Sequence, residues 1–210
     1  MTGIRWAGTL TGYYRFHARI YDATRWLFLF GRSGLIDLAA SSGTPKRILE
    51  VGCGTGANLR AMARRFPKAT LTGVDLSPDM LAIARRTTAE FDGRVSLIRR
   101  AYREPVADGR PFDLIVWSYC LSMIDPGRVE ALRVCRRDLG PGGIVVIVDF
   151  HDTPHAWFRR WMRLNHVRLD GGIAADVRSA GLRVEHFAVH SAFGGVWRWL
   201  SCVASDQCQR

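Results

Sequence analysis

The stretch Ile48-Leu-Glu-Val-Gly-Cys-Gly-Thr-Gly-Ala-Asn58 decides the fold. An apolar run of strand type ends in three glycines at alternate positions, Gly52, Gly54 and Gly56, and an amphipathic stretch follows until Pro67. Strand, tight turn and helix follow one another without a spare residue. Glycine permits the turn and lets backbone amides approach a ligand with no Cβ in the way. The amides at the start of the following helix favour an anionic or polar ligand group.

Working outward, the same alternation repeats. Thr70–Val74 is a second strand, and Pro78, just after Ser77, opens a helix expected to run to about Phe91. Val95–Ile98 and Phe112–Trp117 are the third and fourth strands. Arg128–Asp138 reads as a helix, Leu139–Gly143 as a turn and Ile144–Phe150 as a buried fifth strand. Leu182–Ser191 and Val196–Val203 flank Phe193-Gly-Gly195 as a terminal antiparallel pair. The expected fold is α/β and doubly wound: a mainly parallel seven-stranded sheet closed by that antiparallel pair. Residues 1–44, ending at the loop Ser41–Pro45, read as an N-terminal helical lid on the substrate side, and 45–210 as the ligand-binding core.

Composition limits what the chain can be. Its 210 residues suit one domain, and 48% hydrophobic with 23% charged residues excludes disorder and collagen-like repeats. The longest apolar runs, Trp26–Phe30 and Ile144–Val148, fall well short of the roughly 20 residues that span a bilayer. Arg5, Arg15 and Arg19 interrupt any signal-peptide core, so a cytoplasmic place is expected, with room for peripheral contact on the inner face of the membrane. Thirty basic against nineteen acidic residues give +11. Such a field favours nucleic acid or an acidic lipid surface, and it equally describes a solvated, arginine-rich exterior. With no basic tail and no nucleic-acid motif, no nucleic-acid partner is expected. The cysteines Cys53, Cys120, Cys135, Cys202 and Cys208 are odd in number and lack C-x-x-C spacing, which reads as reduced thiols. His151 and His155 have Pro154 between them and no third ligand, so no metal site is expected.

Two acids carry the ligand chemistry. Glu50 lies two residues before the first glycine, and Asp75 at the tip of the second strand can accept both hydroxyls of a ribose. The pair implies an adenosine-bearing cofactor. Gly52-x-Gly54-x-x-Ala57 with Asp75 also satisfies a dinucleotide fingerprint, so a nicotinamide enzyme is the mechanistic rival. Three details favour S-adenosylmethionine: the third glycine at Gly56, a carboxylate at Glu50 suited to an ammonium group, and the terminal antiparallel pair.

Together these residues resemble the class I S-adenosylmethionine-dependent methyltransferases over the span Lys46–Phe150. The resemblance implies that Glu50, Gly52, Cys53, Gly54, Gly56 and Asn58 surround the methionine end and Asp75 the ribose. Leu76 and Met80 would lie near the adenine, with Ser118 at the end of the fourth strand. The product would be S-adenosylhomocysteine. The acid that such enzymes often carry after the third strand is absent, since the run here is Arg100-Ala-Tyr102. The backbone of Ala101 and Tyr102 would then hold the adenine, or the chain would be a non-catalytic S-adenosylmethionine-binding descendant.

The acceptor side is read from other segments. Between Tyr14 and Arg32, aromatics and arginines interleave, either as a helix packed on the sheet or as a lid with Tyr21 near the sulfonium and Arg25 or Arg32 fixing an anionic group. Ser118–Ile124 and Asp149–Asp152 read as pocket walls. Tyr14, Tyr119 and His151 are the candidates for relaying a proton. Ala156–Leu164 puts Trp157, Trp161 and Leu164 on one face, with Arg159, Arg160 and Arg163 around the remainder. Such a helix can lie in a lipid headgroup layer or pack its apolar face on the domain. Tyr21-Asp-Ala-Thr-Arg25, Leu29-Phe-Gly-Arg32, Ser118–Ile124, Ile147–Phe150 and Trp157-Phe-Arg159 resemble the bacterial lipid N-methyltransferases, nearest the diacylglyceryl-homoserine type that completes betaine lipid. That resemblance implies successive methylation of a lipid amine on an anionic membrane surface. Phosphatidylethanolamine, a quinone precursor or another small molecule are the alternative acceptors.

Overall fold

A computed structural model describes residues 30–41 and 43–207 of the chain. Its elements in order are α1 (Arg32–Ser41), β1 (Arg47–Val51), α2 (Ala57–Arg65), β2 (Thr70–Asp75), α3 (Pro78–Thr87), β3 (Val95–Arg99) and β4 (Phe112–Ser118). These are followed by α4 (Arg128–Asp138), β5 (Leu139–Phe150), α5 (Ala156–Leu164), α6 (Ile173–Ser179), β6 (Leu182–Ala192) and β7 (Trp197–Asp206).

The seven strands form one sheet in the order β3-β2-β1-β4-β5-β7-β6. Strands β1 to β5 run parallel. β7 inserts antiparallel between β5 and β6. Order reverses between β1 and β4, the crevice in which open α/β sheets bind ligands. The expected doubly wound sheet with its terminal antiparallel pair is therefore the observed one.

Both faces of the sheet are covered, which is why its central strands read as continuous apolar runs rather than alternating ones. One layer gathers Leu35 and Ala39 of α1, Leu59 and Met62 of α2, Leu81 of α3, and Phe158 and Met162 of α5. The other gathers Leu132 and Cys135 of α4, and Ile173 and Val177 of α6. Burial pushes the Cys135 thiol up to about 12, consistent with an inert core cysteine.

Two boundaries differ from expectation. The helix opened by Pro78 is capped as read, Ser77 Oγ accepting the Met80 amide at 3.3 Å, but it stops at Thr87. Thr88 Oγ1 donates back to the Ala84 carbonyl at 2.8 Å, and the chain tightens into a 3₁₀ turn over Ala89–Phe91. The expected turn at Leu139–Gly143 belongs to β5. Leu139 pairs with Phe112 and the next pairing is Ile144 with Leu114, so the glycine-rich residues between them swell out as a bulge. Among the described residues, no helix is long and apolar enough to cross a membrane.

Candidate active site

The glycine loop leaves β1 at the carboxyl edge of the sheet and is tied to β2. The Gly52 and Cys53 amides donate to the Val74 carbonyl at 2.8 and 3.1 Å. Gly52, Gly54 and Gly56 all have positive φ, of 70°, 52° and 77°. Gly56 also allows a close approach, since a Cβ there would stand 3.1 Å from the Ala84 Cα of α3.

Asp75 binds both loops at this edge. Its Oδ2 accepts the Gly54 amide at 2.8 Å and its Oδ1 the Ser77 amide at 2.8 Å. Each oxygen keeps a second lone pair for a ligand hydroxyl. Glu50 is buried beneath the loop, and its Oε1 accepts from Asn58 Nδ2 at 2.7 Å. Asn58 is thus a positioning partner of Glu50. Burial, with Glu50 and Asp75 adding to it, raises the Cys53 thiol far above its ordinary range.

These groups suit an amino-acid nucleoside. Gly56 caps α2 without a side-chain hydrogen bond, and the first-turn amides of a helix favour an anion. The buried Glu50 carboxylate offers the opposite charge a few residues away. The two charges are of the signs that a zwitterionic amino-acid end would require, and Asp75 keeps acceptor capacity for a hydroxyl. Leu76, next to Asp75, is 56% exposed, whereas Met80 is buried.

The adenine-side residues separate. Ala101 is exposed, whereas the Tyr102 side chain turns into the core, where its hydroxyl donates to Asp138 Oδ2 at 2.7 Å and its ring meets Trp117 at 5.6 Å. Asp138 also accepts the Val106 and Ala107 amides, both at 2.9 Å. Burial pushes the Tyr102 hydroxyl well above its usual range. Only its backbone remains available to a ligand. Nothing in the sequence around Asp138 marks this niche, because an acid at the last position of a charged helix reads as a surface residue.

The wall after β4 is held from behind. Ser118 is buried at the strand end, and Tyr119 adopts a left-handed conformation with φ 52°. The buried Asp149 of β5 accepts the Cys120 and Ser122 amides through Oδ2 at 3.0 and 3.2 Å, and the Phe150 amide through Oδ1 at 2.7 Å. Burial raises its carboxyl to about 6, against the opposing hydrogen bonds from Ser122, Phe150 and Leu121. Sequence reading placed Asp149 in a pocket wall and missed that it organises the neighbouring one.

Two of the proton-relay candidates, Tyr119 and His151, have contacts within the fold. The buried Tyr119 hydroxyl donates to the Phe30 carbonyl at 2.7 Å. The His151 ring packs edge-on against Phe187 at 5.8 Å and beside Gly171, while its neighbour Phe150 packs on Tyr119 at 4.7 Å. Tyr14, Tyr21 and Arg25 lie outside the described residues, as does the side chain of Arg32. Among the described residues no cluster of three metal-ligating side chains occurs.

Known proteins resemble the chain in sequence and in fold. Residues 48–143 match the family described as a methyltransferase domain. The chain is 33% identical over 144 residues to the demethylmenaquinone methyltransferase of Thermus thermophilus, covering 66% of this chain and 64% of that protein. It is 37% identical over 100 residues to the trans-aconitate 2-methyltransferase of Streptomyces avermitilis, covering 47% of this chain and 37% of that protein. The match thus spans less than two thirds of the length of either relative. Among solved structures, the N-methyltransferase NodS from Bradyrhizobium japonicum, in complex with S-adenosyl-L-homocysteine, superposes with a TM-score of 0.69 at 22% identity, covering 84% of this chain and 85% of that one. The described chain has the Rossmann-like fold of that solved methyltransferase, and residues 48–143 match a methyltransferase domain.

Proposed function

We propose that the chain transfers methyl groups from S-adenosylmethionine to the amino headgroup of a membrane lipid, with diacylglyceryl-homoserine as the specific acceptor. The observation that carries the methyl-donor half is the carboxylate of Asp75 joining the Gly54 and Ser77 amides beside a buried Glu50. When bound, S-adenosylmethionine supplies a methyl group on a positively charged sulfur. Glu50 holds the ammonium end, the first turn of α2 the carboxylate, and Asp75 the ribose hydroxyls. Leu76, Met80 and the backbone of Ala101 and Tyr102 receive the adenine.

The lipid half rests on this chain's own residues, because the relatives differ in acceptor. It is supported by the segments Ser118–Ile124, Ile147–Phe150 and Trp157-Phe-Arg159, and by an arginine-rich helix that follows β5 at the ligand edge. We assign the acceptor side to the Ser118–Ile124 wall, and Tyr14, Tyr21, Arg25 and Arg32 to the acceptor on the resemblance of their sequence segments alone. The protein's contribution is alignment of the attacking nitrogen and exclusion of water. The nitrogen must be neutral to attack. It sheds its proton to solvent, so rate rises with pH until the amine is deprotonated. The Tyr119 hydroxyl serves as a clasp on Phe30 in this reading rather than as a base.

The test is incubation with methyl-labelled S-adenosylmethionine and a total lipid extract. Label entering an organic-phase product that carries a quaternary amine is the expected result, and label confined to the aqueous phase overturns it. The 33% identity to a demethylmenaquinone methyltransferase favours a second reading, methylation of a quinone precursor. In that case the labelled organic product absorbs as a quinone and contains no amine.

A further inference from the structure

The helix α5 departs from the usual rule for a surface helix. Its inward residues are Phe158 and Met162, both buried in the layer with Phe150 and Trp197. Its larger apolar side chains face outward: Trp157 is 65%, Trp161 46% and Leu164 73% exposed. Arg160 and Arg163 are exposed on the same short helix, and Arg159 reaches back to the Thr153 carbonyl. The sequence Ala-Trp-Phe-Arg-Arg-Trp-Met-Arg-Leu contains no acid. Scattered exposed apolar residues need no explanation, but a cluster on one helix, ringed by one sign of charge, does.

Its place in the fold gives the cluster a direction. β5 runs parallel to β1 and ends at Phe150, so α5 begins at the same sheet edge as the glycine loop. The turn Phe193–Gly195 between β6 and β7 lies at that edge too, since Phe150 pairs with Trp199 near the start of β7. Phe193 is 51% exposed at this turn and meets the half-exposed Phe30 at 5.6 Å. Thr153 Oγ1 donates to the Val196 carbonyl at 2.6 Å, tying the approach to α5 to this turn. One rim of the molecule therefore carries the ligand loop, exposed aromatics and arginines.

From this we infer that the outward face of α5, with Trp157, Leu164, Arg160 and Arg163 as its anchors, docks on an anionic phospholipid bilayer and brings the ligand edge to the headgroup layer. Indoles and a leucine suit the boundary between headgroups and acyl chains, and arginines keep their charge among the phosphates while their stems cover apolar surface. An anionic surface is chosen over a protein partner because α5 presents only positive charge around its apolar face. The inference rests on the lipid-acceptor reading for its purpose, though not for its measurement.

The experiment uses the full chain with vesicles of pure phosphatidylglycerol or pure phosphatidylcholine, scored by sedimentation. Binding is expected to phosphatidylglycerol and to weaken as salt rises. Each arginine near an anionic surface contributes about fivefold, so the pair Arg160→Ala and Arg163→Ala should weaken partition about 30-fold. The pair Trp157→Ser and Leu164→Ser should weaken it at low and at high salt alike. Both pairs change exposed side chains, and an unchanged melting temperature confirms that folding is intact.

Vesicle binding that survives both pairs of substitutions overturns the inference. So does an α5-dependent dimer found by light scattering without vesicles, since the face would then be covered by a second copy. Binding of S-adenosylhomocysteine, measured by calorimetry on the same samples, separates the two readings. A chain that binds the nucleoside and ignores vesicles removes the docking inference alone. One that binds vesicles and not the nucleoside removes the methyl-transfer reading alone.

Discussion

The carboxylate of Asp75 receives the amide proton of Gly54 at 2.8 Å, so the acid at the tip of β2 holds the central glycine of the loop leaving β1. Two strands adjacent in the sheet are joined again above it, through a group that also has lone pairs for a ligand. Loop geometry and ligand binding thus share one side chain.

Asp75→Ala should weaken binding of S-adenosylhomocysteine at least tenfold, because a hydrogen bond to a charged group contributes about 1.5–3 kcal/mol. Asp75→Asn keeps one acceptor and should fall between the variant and the parent. Titration calorimetry checks both, and an affinity unchanged in Asp75→Ala would remove the ribose from this position.

Gly56 and Gly93 provide a matched pair. Both have left-handed φ, 77° and 81°, but a Cβ at Gly56 would lie 3.1 Å from the Ala84 backbone whereas Gly93 has open space. Gly93→Ala should cost about 1 kcal/mol, for conformation alone. Gly56→Ala should cost about 1–3 kcal/mol more, because α2 and α3 must separate. Urea unfolding of the two variants reads the difference. Equal losses would mean that the helices accommodate the methyl group.

Tyr102→Phe tests the inward turn of that side chain. It leaves Asp138 buried with one acceptor site unfilled, at a cost of about 1–3 kcal/mol. Nucleoside affinity should stay within about twofold of the parent. A large loss of affinity at unchanged stability would bring the phenol back to the ligand.

Asp149 gives stability an unusual pH dependence. Its folded carboxyl titrates at about 6, above the ordinary 3.8, so between these values the folded protein binds more protons than the unfolded chain. Its contribution therefore rises as pH falls through 6. Glu185, held below its usual range by a hydrogen bond from Ser205, acts with opposite sign and only in more acid solution. From pH 7 to pH 5 the parent should gain about 1 kcal/mol relative to Asp149→Asn. Melting temperatures across that window check the sign, and a constant gap would show that Asp149 does not titrate there.

The parallel core was legible because its strands are buried on both faces, so Ile144–Val148 stands out as an unbroken apolar run and Ile48–Val51 as one interrupted by Glu50 alone. Asp75 was legible for a different reason: a polar residue ending an apolar run at the second strand has few purposes other than a ligand. The bulge at Gly140–Gly143 was read as a turn because glycine and proline punctuate both. Tyr102, Asp138 and Asp149 escaped because their roles depend on partners 29–36 residues away in sequence, which no local pattern encodes. The helix α5 was expected either to pack its tryptophans on the domain or to offer them to lipid. Periodicity finds an apolar face but does not say which side the sheet occupies, and Phe158 with Met162 took the inner position.

The anchoring of Cys120 and Ser122 by Asp149 has a practical consequence. In the proposed reading, the segment facing the second reactant draws its shape from β5, while the nucleoside would be held by loops after β1 and β2. Residues 121–124 should then be exchangeable with least disturbance to retention of the methyl donor, whereas Cys120 lies against Gly52 of the glycine loop. Those four positions are the natural place to randomise when retargeting the protein.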